Sequence, residues 1–113
     1  MARKVLVACT DLFFSARILE TARQTGAVAV PVREAVADAA AREQPDLVIV
    51  DLNADALEPV ASIAAVRAAL PAVPIVGFVR HEEAERIRAA REAGASEVLA
   101  RGAFSARLPQ LLA

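Results

Sequence analysis

The chain has 113 residues, of which 57% are apolar and 24% charged, with a formal net charge of −1. That length is near the modal size of a single domain and buries about two-thirds of its unfolded surface, so residues 1–113 read as one unit with one packed core. The near-neutral charge lacks the electrostatic footprint of a nucleic-acid binder, and with four Phe and no Trp or Tyr there is no base-stacking platform. A single cysteine, Cys9, excludes an internal disulfide framework and points to a reducing cytosol. Arg3-Lys4 is followed only by Val5 to Thr10 before Asp11 interrupts, too short for a signal-peptide core. The longest uncharged stretch, Ala68 to Val79, holds Pro71 and Pro74 and falls short of a membrane span. The expectation is a cytoplasmic chain with neither nucleic acid nor membrane as partner.

In chain order, the first strand signal is Val5-Leu6-Val7-Ala8, followed by a helical period over Leu12 to Thr25 with Phe14, Ile18 and Ala22 on one face. Ala27 to Val32 is a second, β-branched run that contains Pro31. Arg33 to Glu43 is alanine-rich and helical in period, then Leu47-Val48-Ile49-Val50 forms the third run. Leu57 to Leu70 is the third helical segment, Ile75 to Val79 the fourth strand, Glu82 to Ala93 the fourth helix and Val98-Leu99-Ala100 the fifth strand. Gly26, Pro45, Pro71 and Gly94 stand where the four helices should stop. Runs that are apolar without alternation mark strands covered on both faces, as in a parallel sheet. The order is βα repeated five times, a doubly wound α/β sheet. Pro109 interrupts the last segment, which predicts a turn around Phe104–Arg107 and then a short helix from about Leu108.

Twelve positions are expected in the core: Val5, Val7, Ile18, Leu47, Ile49, Ile63, Val66, Ile75, Val76, Ile87, Val98 and Leu99. In an open parallel sheet ligands meet the carboxyl ends of the strands. That rule selects Cys9, Thr10 and Asp11, then Asp51, then Val79-Arg80-His81, then Arg101-Gly102. Asp51 follows the central run directly and stands where the sheet opens.

Pro45-Asp46-Leu47-Val48-Ile49-Val50-Asp51-Leu52 resembles the third-strand motif of response-regulator receiver domains, the CheY-like family. The Pro74-to-Val79 strand, the Glu92-Ala93-Gly94-Ala95 helix end and Val98-Leu99-Ala100-Arg101 fall in register with it, so the resemblance covers about residues 3–112. It implies a five-stranded parallel sheet of order 2-1-3-4-5, a flavodoxin-like fold, with a shortened last helix. Pro31 agrees, because that order makes the second strand an edge, where proline is tolerated. The resemblance also implies two-component signal transduction with Asp51 at the phosphoacceptor position. At the acidic pair that helps to hold Mg²⁺ this chain has Cys9 and Thr10, with Asp11 one step further into the loop. At the hydroxyl position ending the fourth strand it has Val79, at the lysine position Arg101, at the following proline Gly102, and at the aromatic switch position Val98. Mg²⁺ wants octahedral oxygen ligation including carboxylates, which this set does not offer.

The chain therefore resembles a degenerate member, a pseudo-receiver. The leading expectation is a stand-alone, non-enzymatic signalling module without cofactor, acting through a protein partner or self-association. The family's interaction face corresponds to Glu82–Ala93, Val98–Arg101 and Phe104–Leu112. The alternative is a phosphoacceptor response regulator phosphorylated on Asp51 in a phosphorelay, with Mg²⁺ as cofactor. A third reading, a small-molecule binder on the same scaffold, lacks support from GxGxxG, P-loop, HExxH or CxxC motifs, none of which occurs. An Asp51–Arg101 ion pair is expected at the degenerate pocket. The plainer alternatives are a loop carboxylate satisfied by backbone donors and a solvated arginine. Cys9 reads as a small buried hydrophobe or a reactive thiol, and His81 as a loop histidine or a pH sensor. Phe13 is expected to cover the pocket or pack on a neighbour. Glu82–Arg86 and Arg88–Glu92 read as surface pairs, and His81–Glu85 is too small a set for a metal.

Overall fold

The computed structural model describes residues 2–80 and 83–113. Five parallel strands, β1 (Lys4–Ala8), β2 (Val28–Val32), β3 (Leu47–Asp51), β4 (Ile75–Val79) and β5 (Glu97–Ala100), form one sheet of order β2-β1-β3-β4-β5. The helices are α1 (Leu12–Thr25), α2 (Val36–Glu43), α3 (Pro59–Ala69), α4 (Ala84–Ala93) and α5 (Arg101–Leu112). This is the doubly wound sheet expected from the βα alternation, in the flavodoxin-like, CheY-like strand order that the family resemblance implied. Pro31 lies opposite Val7 in β2, the edge strand, where its missing N–H need not serve a second neighbour.

Alternation along the strands splits the apolar residues into two cores. Leu6, Val48, Val50, Ile75, Val79 and Val98 face α2, α3 and α4 with Ile63 and Val66. Val5, Val7, Leu47, Ile49, Val76 and Phe78 face the other way, packing with Ile18, Phe104, Leu108 and Leu112 of α1 and α5. Ten of the twelve expected core residues are buried, while Ile87 and Leu99 are half-buried against these clusters. Both sit on the β5 side of the sheet, where one neighbour is missing.

Two helix starts differ from expectation for a local reason. α2 starts at Val36, not Arg33, because Ala35 adopts a left-handed φ of 48°. α3 starts at Pro59, not Leu57: Glu58 is left-handed at φ 47°, and a 3-10 turn covers Asp55–Leu57 before it. Proline suits the first helical position and disfavours helix in the residue before it.

The last helix is the largest correction. It runs continuously from Arg101 to Leu112 through Pro109, with no turn at Phe104–Arg107. Phe104, Leu108 and Leu112 recur every fourth residue and are all but completely buried. Burying three such side chains gains about 1.5–3 kcal/mol each, against about 3 kcal/mol for an interior proline. Pro109 itself is exposed.

At the amino end of the sheet, Arg67 replaces missing backbone donors. Its guanidinium donates to the carbonyls of Gly94, Pro71 and Val73 at 2.8, 3.0 and 2.6 Å, tying the end of α3 to the α4–β5 connection. Gly94 has φ 123°, and a Cβ there would stand 2.8 Å from Arg67 Cγ, so two separate reasons require glycine. Ile49 is completely buried on the central strand. Ile49→Ala should lower the unfolding free energy by about 2–5 kcal/mol in urea titration, whereas a loss under about 1 kcal/mol would contradict a strand covered on both faces.

Candidate functional site

The carboxyl edge brings together Cys9 and Asp11 after β1, Asp51 at the end of β3, Val79 at the end of β4 and Arg101 at the start of α5. Asp51 lies opposite Phe78 in the ladder and is only 5% exposed. Burying a carboxylate requires donors. Its Oδ1 accepts the Asn53 backbone N–H at 2.9 Å, and its Oδ2 accepts the Cys9 thiol, with the sulfur 3.7 Å away. The plainer of the two expectations for Asp51 holds in part: one donor is a backbone N–H of its own loop, and the other is the Cys9 thiol from the end of β1.

Arg101 pairs with Asp11 rather than with Asp51, which corrects the expected ion pair. Its Nη2 donates to Asp11 Oδ2 at 2.9 Å, and its guanidinium carbon lies over the Phe14 ring, 4.3 Å from the centroid. The reason is geometric: Arg101 opens α5 beside the start of α1, while Asp51 is recessed in the central strand. A planar guanidinium gains from stacking and from the carboxylate together. The ring beneath is held by its neighbours, because Phe14, Phe78 and Phe104 form a cluster with centroids 4.5–5.8 Å apart.

Asp11 serves two helices. Oδ1 accepts from Phe14 N at 3.0 Å and so caps α1, while Oδ2 holds Arg101 at the head of α5. The Phe14 N–H, and after it Arg101, hold the Asp11 carboxyl below the usual carboxylate range, with burial opposing them. Cys9 is buried, with its sulfur 3.6 Å from Asp11 O and 3.7 Å from Asp51 Oδ2, so its one proton has two acceptors. Burial, then the nearby Asp51 charge, push the thiol up to about 11, although Asp11 O opposes them. It is thus a protonated donor at neutral pH, closer to the buried hydrophobe than to the reactive thiol. Thr10 is exposed, and Val79 ends β4 buried and aliphatic.

These donors do not fit Mg²⁺. A thiol, a poor ligand for a hard cation, stands beside Asp51, and among the described residues the Asp11 carboxylate is already committed to Arg101 and the α1 cap. Among the described residues no group of three His, Cys, Asp or Glu side chains is arranged to hold a metal ion.

Phe13 neither covers the pocket nor packs on a neighbour: it is 91% exposed, and Leu12 beside it 62%. It rims a groove between α1 and α5 that Phe14, Arg17, Arg101 and Ser105 also line. His81, and with it the His81–Glu85 and Glu82–Arg86 pairings, lies outside the described residues. Arg88 pairs with Glu85 at 2.7 Å, not with Glu92, and Arg86 pairs with Glu83 and Asp55. Sequence reasoning missed Asn53, whose side chain also accepts from the Arg80 N–H at 2.8 Å and donates to Glu83 at 2.9 Å. Its signal was an asparagine two residues after Asp51, the spacing at which such side chains and amides organise turns.

The backbone is similar to those of solved receiver domains. A response regulator from Burkholderia pseudomallei, crystallised with a phosphorylated aspartic acid, calcium ion and citrate, superposes with a TM-score of 0.85 at 18% identity. That match covers 98% of this chain and 66% of the other. A response regulator from Thermotoga maritima gives 0.79 at 18% identity, over 98% of this chain and 94% of that one. A CheY-like receiver domain protein from Methanospirillum hungatei gives 0.84 at 12% identity, over 98% and 90%. The fold is that of receiver domains. No protein-family model and no curated protein sequence matches the chain.

Asp11→Ala removes a helix cap and an ion partner, and should cost about 1–2 kcal/mol at pH 7. Because the folded carboxyl is depressed, its contribution is complete above the ordinary value of 3.8 and fades as pH falls below it. Urea titrations at pH 7 and pH 3 should show the gap between wild type and variant closing in acid; an equal gap at both would contradict the assignment. Cys9 in the native chain should react with a thiol reagent at pH 8 at least about tenfold more slowly than in the urea-unfolded chain, as a buried thiol of raised pKa requires.

Proposed function

We propose that the chain is a receiver-like signalling module that works by protein–protein contact, through a partner or by self-association, without phosphorylation, Mg²⁺ or an enzymatic activity of its own. The observation that carries this reading is the Asp11–Arg101 pair stacked on Phe14 at the mouth of the site. Phosphoryl transfer is catalysed by placing positive charge and donors around the transferred oxygens. Here the cation at the mouth is neutralised by Asp11, and the donors closest to Asp51 are one backbone N–H and one weak thiol.

The fold supports the signalling class, because its neighbours are response regulators. No described helix is long and apolar enough to cross a membrane. For contact with a partner, the groove between α4 and β5, lined by Val79, Ile87, Arg91 and Val98, lies on the face that the family resemblance assigns to output. α5 completes that face as a full helix.

Acetyl phosphate with Mg²⁺ tests the reading directly. The intact mass of the chain should stay unchanged after incubation. A phosphoryl adduct that disappears in Asp51→Asn would overturn it in favour of the phosphoacceptor reading, with Mg²⁺ as cofactor.

A further inference from the structure

Asn53 is bonded at both ends of its residue. Its backbone N–H donates to Asp51 Oδ1 at 2.9 Å, while its side-chain Oδ1 accepts from Arg80 N at 2.8 Å and its Nδ2 donates to Glu83 Oε1 at 2.9 Å. Glu83 immediately precedes α4, and its Oε2 accepts from Arg86 Nε at 2.9 Å. Arg86 then reaches back to the segment that follows β3, its Nη1 donating to Leu52 O at 2.7 Å and to Asp55 Oδ1 at 3.2 Å. The circuit leaves the end of β3, crosses to the segment between β4 and α4, and returns beside its starting point.

We propose that Asn53 is a latch coupling the Asp51 carboxylate to the entry of α4. An asparagine amide is planar and carried on a short side chain, so its position follows its backbone. The Asp51 carboxylate holds that backbone. A shift of about 1 Å takes hydrogen bonds of this length out of range, and the two bonds to Arg80 and Glu83 would be lost together. The coupling passes through neither Val79 nor Val98, whose side chains have no polar atoms. It is a property of the carboxylate as hydrogen-bond acceptor, so it holds whatever Asp51 does chemically. It is also reciprocal: displacing α4, as a bound partner would, must alter the surroundings of Asp51.

Amide hydrogen exchange on the whole chain, read by NMR at Arg80, Ile87 and Arg88, tests the latch. Asp51→Ala and Asn53→Ala should each speed exchange there several-fold, and the double variant should exchange no faster than Asn53→Ala alone. Asp51→Asn, which keeps an acceptor oxygen, should leave these amides at native rates. Changes confined to residues 52–54 in Asp51→Ala, or additive effects in the double variant, would overturn the proposal. Should Asp51→Ala not fold, Arg86→Met works from the other end: the Asp51 carboxyl carbon resonance should move, and an unmoved resonance would equally overturn it.

Discussion

The structure depends on β3, a central strand buried along its entire length that nevertheless ends in a carboxylate. Parallel strands covered on both faces leave polar groups only at their ends. Asp51 sits at such an end, too deep for bulk water to satisfy it, so the loops around it must supply donors. The bonds from Cys9 and Asn53, and the latch beyond Asn53, all descend from that requirement.

The two carboxylates of the site divide their roles by depth. Asp51 is recessed and satisfied by a thiol and a backbone amide; Asp11, at the rim, takes the cation and caps α1. Arg101 chooses between them by what lies beneath it. The Phe14 face is available at the rim, where a guanidinium can stack, pair and keep part of its hydration. Because Phe14 also packs on Phe78 and Phe104, the ion pair rests on the same core that anchors α5. Site and last helix are thus one packing unit, which explains why α5 forms through its proline.

Strand order, edge placement of Pro31, the two-faced core and the carboxyl-edge residues were legible in the sequence. The two-faced core and the edge residues follow from periodicity and from backbone chemistry that acts within a few residues, apolar runs and Gly and Pro stops; the strand order came from the family resemblance, with which the missing N–H of Pro31 agrees. The same local logic located Asp51, since the residue after the central apolar run must lie at the open edge. It failed for α5, where a local penalty at Pro109 was outweighed by burial of Phe104, Leu108 and Leu112, which depends on what the rest of the chain brings against that face. It failed again for the partner of Arg101, because Asp11 and Asp51 both lie near the edge and only depth and the aromatic floor separate them. The three roles of Asn53 could not be read from its position, since Arg80 and Glu83 meet it only when β3 and β4 are paired in register. What the sequence by itself determined was which residues reach the carboxyl edge, because strand periodicity and turn chemistry are local. Which of them pair there was decided only by the tertiary structure, because pairing depends on burial and on distances between residues far apart in the chain.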